Sequence, residues 1–239
     1  QGGIGADTLN GNAGNDTANG GDGDDTLYDA DEATGNDLFN GDAGNDTIVA
    51  KGGNDTVNGG IGNDELSGGD GDDLLNGGSG NDAFFGGNGN DTIVAGGGLD
   101  TANGGDGNDS ITGSSDTDLF YGNSGADILI GLDGDDTMYG GTGDDTLIGG
   151  SGNDSMIGAD GNDVFVFADG FGQDRAVSFD GNGDLLDLSA VSTVTGYLQG
   201  FTVSTWGGTG TRVDITGTTD VIYMSNVSVT EISADDFIF

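Results

Sequence analysis

Apolar residues return at a fixed interval along the first two thirds of the chain: Leu9, Ala18, Leu27, Phe39, Ile48, Val57, Leu66, Leu75, Phe84, Ile93, Ala102, Ile111, Phe120, Leu129, Met138, Leu147, Met156 and Phe165. The interval is nine residues throughout, except for three extra residues between Leu27 and Phe39. Most flanking residues early in the chain are polar, so each apolar residue reads as the inward-pointing middle of a short strand such as Thr26-Leu27-Tyr28. Between strands lie six residues rich in Gly, which tolerates positive φ. Asn recurs in the fifth place (Asn15, Asn45, Asn63, Asn81, Asn90) and is expected there in the left-handed region. Nine residues therefore make a half-turn, and eighteen make a full coil.

Eighteen such units run from Gly2 to Val166, the cleanest being GGDGDDTLY at Gly20 to Tyr28 and GGTGDDTLI at Gly140 to Ile148. They predict an all-β solenoid of about nine coils in which alternate units stack into two facing sheets. One sheet takes Leu9, Leu27 and Ile48; the other takes Ala18, Phe39 and Val57. At about 4.8 Å between strands, the body is about 40 Å long. Each coil offers two apolar residues, too few to offset the ordering of its residues at about 1–2 kcal/mol each. Stability has to come from something the chain binds.

Charge says what that is. The 239 residues carry a formal net charge of −40, with 43 acidic residues against Lys51, Arg175 and Arg212. Nucleic acid and anionic lipid are repelled, and cations are the expected partners. With 54 Gly and only 32% apolar residues, the bare chain has the composition of a disordered one. A divalent ion that binds only the folded form stabilises it by mass action.

The acids are placed, not scattered. Every unit has Asp in its sixth place: Asp7, Asp16, Asp25, Asp37, Asp46, Asp55, Asp64, Asp73, Asp82, Asp91, Asp100, Asp109, Asp118, Asp127, Asp136, Asp145, Asp154 and Asp163. A turn-forming role explains frequent Asp, but not one unvarying place while the fifth varies among Asn, Asp, Ala, Leu and Thr. Calcium takes six to eight oxygens, mixing carboxylates with backbone carbonyls. Second- and fourth-place glycines expose such carbonyls, and the candidates are Gly21, Gly23, Gly60, Gly62, Gly69, Gly71, Gly78, Gly80, Gly87, Gly89, Gly105, Gly107, Gly141, Gly143, Gly150 and Gly152. Third-place Asp22, Asp70, Asp106, Asp133 and Asp160 are possible extra ligands.

The pattern Gly-Gly-x-Gly-x-Asp-x-apolar-x resembles the RTX (repeats-in-toxin) family of calcium-binding nonapeptide repeats. The resemblance implies a right-handed parallel β-roll in which an ion sits between neighbouring turns on one edge. Its Asp ligands then come from units two apart, pairing Asp64 with Asp82, Asp73 with Asp91 and Asp136 with Asp154. Nine turns per edge leave room for up to about sixteen Ca²⁺.

Three places break the pattern. Asp29-Ala30-Asp31 is an insertion followed by Glu32 in a Gly place; Ala50-Lys51-Gly52 replaces two glycines; and Gly113 to Tyr121 puts Asp116 where Gly belongs. Calcium is least expected beside these turns. After Val166 the period is lost, which divides the chain into a roll at 1–166 and a β cap at 167–239. The cap's Phe171 to Ser189 resembles the closing segment of RTX rolls, and Val191 to Met224 reads as β-hairpins. Outward places turn apolar late in one sheet (Ile128, Ile130, Ile148, Val164, Val166), so the tail is expected to fold back over them. Asp180-Gly181-Asn182-Gly183-Asp184 is either a metal loop or a plain turn.

No His or Cys is present, and no Ser or Thr has a recognisable base partner. A glycosidase-like pair of carboxylates would compete with calcium for its oxygens, so no enzymatic activity is expected. The three basic residues are expected in surface or packing roles. The opening Gly- and Asn-rich residues do not read as an N-terminal signal peptide and no apolar run reaches spanning length, so membrane insertion is not expected. The first unit begins one residue into the chain without a cap, as in a fragment of a longer protein or a processed one. Asp235 to Phe239 resembles the uncleaved C-terminal signal of type I secretion substrates. The expected function is thus a calcium-dependent folding module of a secreted or cell-surface bacterial protein, exported by a type I exporter. The alternatives are a self-assembling surface-layer, filament or adhesin subunit that pairs with its own copies, and a module binding a surface polysaccharide.

Overall fold

The computed structural model describes residues 1–29, 35–179, 183–193, 201–207, 210–225, 227–228 and 230–239. Their strands form two sheets of twelve and thirteen members, and successive strands of the repeat region alternate between them. Within each sheet, neighbours in the repeat region are parallel and in register, so that Leu75, Ile93 and Ile111 stack in one and Leu66, Phe84 and Ala102 in the other. These apolar columns are the core, almost all at 0–1% exposure from Leu27 onward. The parallel β-roll architecture follows as expected from the period.

The strands are longer than the three-residue pattern suggests. Most run six residues, from the seventh place of one unit through the third place of the next, as in Thr56–Ile61. Burial alternates along them, so the first-place residue turns inward with the apolar one, and Gly59 is buried beside Val57. Ala50 and Ala95 fill the same place with buried methyl groups.

Left-handed backbone falls in the second and fourth places, not the fifth. Gly60 and Gly62 have φ of 117° and 138°, and where the second place is not Gly, Asn12, Asp42, Lys51, Asn123, Leu132 and Ala159 adopt φ between 68° and 82°. The fifth-place asparagines stay outside that region and serve as acceptors: Oδ1 of Asn45 takes the backbone N–H of Asn63, and Oδ1 of Asn63 that of Asn81. A third ladder joins the ninth-place side chains Asn19, Asn40, Asn58 and Asn76.

Beyond Val166 both sheets continue. Gln173–Val177 pairs on Ser155–Asp160, and Leu185–Ala190 pairs on Val164–Ala168. Val221–Met224 lies parallel on Gln173–Val177, followed by antiparallel Gly210–Ile215 and Phe201–Trp206, which fits the expected hairpins. Phe237–Ile238 adds a short last strand to the other sheet. The described tail therefore stacks on the end of the roll and does not fold back across the late apolar face, which keeps Ile128 at 44% exposure. The strand at Ser110–Thr112 is short because Gly113 to Tyr121 lacks two turn glycines, and beside it opens a groove of about 520 Å³ lined by Ile130, Leu132 and Ile148.

Candidate metal centre

On each edge of the roll the sixth-place aspartates form one hydrogen-bonded column. The backbone N–H of Asp64 donates to Oδ1 of Asp82 at 2.8 Å, that of Asp73 to Asp91 at 2.8 Å, and that of Asp136 to Asp154 at 2.9 Å. The same bond spans the insertion, from Asp16 to Asp37 and from Asp25 to Asp46. It then runs past the repeats, from Asp154 to Asp174 and from Asp163 to Asp184. Each column thus has ten aspartates, one more than the repeats alone provide. Asp174 and Asp184 escape a search by period because they follow their predecessors by 20 and 21 residues. A readable signal survives in the Asp-x-apolar triplets Asp174-Arg175-Ala176 and Asp184-Leu185-Leu186.

The second carboxylate oxygen is left over. Oδ2 of Asp7, Asp16, Asp25, Asp37, Asp46, Asp55, Asp64, Asp73, Asp82, Asp91, Asp100, Asp109, Asp127, Asp136, Asp145, Asp154 and Asp174 is buried and has no hydrogen-bond partner. A buried, unsatisfied carboxylate oxygen is expensive, so a whole column of them implies a ligand. Asp118 differs: in the irregular Gly113 unit, its Oδ2 accepts the backbone N–H of Ser114 at 3.0 Å.

First-place glycines make room beside these oxygens. A Cβ on Gly59 would lie 2.3 Å from Oδ2 of Asp64 and 2.8 Å from the carbonyl oxygen of Gly77; on Gly86, 2.4 Å from both Oδ2 of Asp91 and the carbonyl oxygen of Gly104. A carboxylate from one coil and a carbonyl from the next thus face the same small space, a cradle that any side chain would fill. The first-place carbonyl was not among the donors expected from the sequence. Second- and fourth-place carbonyls stack along the same edge against the next glycine: a Cβ on Gly62 would come within 1.8 Å of the carbonyl oxygen of Gly44. Among the described residues no three acidic side chains converge on one point, so an ion here depends on such carbonyls. Third-place Asp22, Asp70, Asp106, Asp133 and Asp160 are exposed, and Oδ1 of Asp70 accepts from Nδ2 of Asn88.

Electrostatics point the same way. Burial raises the carboxyls of Asp46, Asp55, Asp91, Asp118 and Asp154 to about 6, and those of Asp73, Asp82, Asp109, Asp136 and Asp145 to about 7; Asp174 reaches about 8. The accepted N–H bond opposes the shift in each, and neighbouring carboxylates add to it in each of these columns. Carboxyls held this high at neutral pH need either protons or a cation. The hard oxygen donors, mixed carboxylate and carbonyl, suit calcium. Of the basic residues, Arg212 pairs with Asp214 and lies over the Tyr223 ring at 5.7 Å. Of the loop expected at Asp180 to Asp184, residues 180–182 lie outside the described set, as do Ala30, Asp31 and Glu32 of the insertion.

The family model for the RTX calcium-binding nonapeptide repeat matches residues 1–28, 33–66, 58–93, 67–102, 94–129 and 130–165. Among solved structures, the chain is similar to the extracellular lipase LipA from Serratia marcescens, with 18% identity, a TM-score of 0.38, and coverage of 86% of this chain and 45% of the lipase. It is also similar to the AlgE6R2 subunit of the Azotobacter vinelandii mannuronan C5-epimerase, with 28% identity, a TM-score of 0.36, and coverage of 54% of this chain and 92% of that subunit. The chain thus spans less than half the length of the lipase. No curated protein sequence matches it.

Proposed function

The chain belongs to the family of RTX calcium-binding nonapeptide repeats, and on that premise we propose that it is a folding module whose two aspartate columns order the roll only when calcium is bound. The observation that carries this reading is the unbroken run of buried, unpartnered Oδ2 atoms from Asp7 to Asp109 on both edges. The proposed ligands are Oδ2 of the sixth-place aspartates, with carbonyls from the first-place glycines and from the second and fourth places. From Asp25 onward each column Asp holds its position through Oδ1, leaving Oδ2, except at Asp118, to face the cradle. Calcium supplies double positive charge and a demand for six to eight oxygens. Ten aspartates per column leave nine gaps on each edge, space for about eighteen ions and roughly +36 charges, close to the −40 of the chain.

In calcium-poor cytosol the carboxylates repel and the chain stays extended, a form suited to a type I exporter. In calcium-rich surroundings the columns close and the roll supports whatever it is joined to. The proposed role is structural, with no catalysis. The reading is supported by the family's calcium binding, while export and placement at the cell surface rest on the resemblance of the C-terminal residues. Circular dichroism during calcium titration tests it: β signal should rise with calcium and collapse with a chelator. An equally ordered protein in chelator would refute it.

A second reading, an assembling subunit, is favoured by the bare apolar groove at Ile130 and Ile148. Sizing at saturating calcium separates the two, since an assembling unit gives ordered multimers and a folding module a monomer.

A further inference from the structure

Packing sets two residue types side by side along one sheet. The ninth-place asparagines share a ladder: Nδ2 of Asn40 donates to Oδ1 of Asn19 at 2.6 Å, that of Asn58 to Asn40 at 2.8 Å, and that of Asn76 to Asn58 at 2.8 Å. Each is followed by a first-place glycine, Gly20, Gly41, Gly59 or Gly77. A Cβ on Gly20 would lie 2.8 Å from the carbonyl oxygen of Gly41, on Gly41 2.6 Å from that of Gly59, and on Gly59 2.8 Å from that of Gly77. The ladder asks for Asn and the cradle asks for Gly. Together they write Asn-Gly into one column.

Asn-Gly is also a dipeptide prone to lose ammonia. The glycine nitrogen gives its proton to water and attacks Cγ of the asparagine; an N–Cγ bond forms, the Cγ–Nδ2 bond breaks, and Nδ2 leaves as ammonia with a proton from water. Water then opens the resulting succinimide to Asp or to its β-linked isomer, and nothing is oxidised or reduced. Glycine favours the attack because it has no Cβ to obstruct it and the freest backbone.

The folded roll opposes this reaction. All four glycines are buried, in strands paired parallel and in register. The first-place N–H donates to the ninth-place carbonyl of the next coil, as that of Gly11 does to Tyr28 at 3.0 Å and that of Gly113 to Ile130 at 2.8 Å. A nitrogen engaged this way on extended backbone points at the neighbouring strand and away from its own Asn Cγ. The ladder meanwhile holds each side-chain amide along the stack. Reaction therefore requires the strand to open.

We propose that Asn19, Asn40, Asn58 and Asn76 are deamidation sites that calcium closes, so that this sheet ages only in the unfolded chain, and ageing impairs its later folding. The proposal rests on the calcium reading of the columns and extends it to the chemistry of the unfolded form. At Asn58, conversion to Asp keeps the acceptor for Asn76 but removes the donor to Asn40, setting a carboxylate against the Asn40 oxygen. The β-linked isomer adds a methylene to the backbone and moves Gly60 out of register with Asp42 and Gly78.

The test incubates the full chain at neutral pH in chelator, in saturating calcium, and in urea with calcium. Peptide mapping by mass spectrometry and ammonia release follow conversion at each site. The four sites should convert in chelator and in urea, and about tenfold or more slowly in calcium alone. Chains aged in chelator should then need about threefold more calcium to reach half their β signal. The double variant Asn58→Asp with Asn76→Asp should reproduce that shift without ageing, and Asn58→Asp alone serves if the pair does not fold. Equal rates in calcium and chelator overturn the proposal, as does an unaltered midpoint in aged chains. Slow conversion in urea with calcium overturns it too, because the ion and not the fold would then be protecting. If circular dichroism shows the chelated chain disordered and the rates are still equal, only this proposal falls. If the chelated chain is as ordered as the loaded one, the calcium reading falls with it.

Discussion

A sixth-place aspartate divides its oxygens between structure and binding, which makes the two separable by a single substitution. In Asp91→Asn the side-chain oxygen still accepts the N–H of Asp73, the bond now made at 2.8 Å. The new amide replaces Oδ2 beside the carbonyl of Gly104, and an NH₂ donates where a carboxylate oxygen could not. The calcium midpoint should therefore rise about tenfold, while β signal in chelator stays level or increases. Circular dichroism at both extremes checks this, and parallel losses in both would contradict the division of labour. Glycines are unequal for a related reason. Gly80 combines φ of 125° with a would-be Cβ 1.8 Å from the carbonyl oxygen of Gly62, whereas Leu132 already holds a side chain at φ 82° in the second place. Gly80→Ala should cost about 1–3 kcal/mol or more, and Leu132→Gly little, as read from melting in saturating calcium.

At the scale of one edge, the column titrates as a unit. Buried carboxyls raised to about 7, as at Asp73, Asp82, Asp109, Asp136 and Asp145, favour the folded form only when protonated. Without metal, that contribution is fully present below the unfolded value of 3.8 and is lost as pH rises through 6 to 7. Acidifying the chelated protein from pH 8 to 5 should thus induce β structure, the reverse of ordinary acid denaturation. Calcium binding near pH 7 should release protons, measurable as a buffer-dependent heat in calorimetry. Much of this was legible beforehand: the apolar columns follow from a period of nine, and the pairing of Asp64 with Asp82 from the coil of eighteen. The six-residue strands were not, because Gly hides the second inward place from any reading by hydrophobicity. Nor was the role of Asn63, since tolerance of left-handed backbone and donation of a ladder acceptor select the same residue type. Burial of Oδ2 appears only once coils are stacked.

Over the whole molecule, charge and length decide the response to ions. A chain of this size with its carboxylates unscreened should have a radius of gyration of about 50 Å, falling to less than half of that in calcium, by small-angle scattering. The late apolar face shows where alternation reaches its limit: it predicts that Ile128 and Ile148 point outward, but not what covers them, and the described tail lies elsewhere. What the tail does cover is the end of the roll. Gln173–Val177 and Leu185–Ala190 lie over Met156 and Phe165, both at 0% exposure, and bring Asp174 and Asp184 onto the last turns. A terminal coil otherwise presents open strand edges and core to water. Removing residues 169–239 should therefore do more than delete two sites: it exposes Phe165 and Met156 and leaves the last gap on each edge with one carboxylate. The full-length double variant Asp174→Asn with Asp184→Asn separates these effects, because it keeps the covering strands. If the tail acts as a seed from which ordering spreads along the roll, truncation should raise the calcium midpoint for the entire β signal and slow its appearance after mixing, whereas the double variant should shift it only modestly. Equal shifts in the two would place the tail's contribution in its carboxylates, and an unchanged midpoint in the truncated chain would show that ordering begins within the repeats.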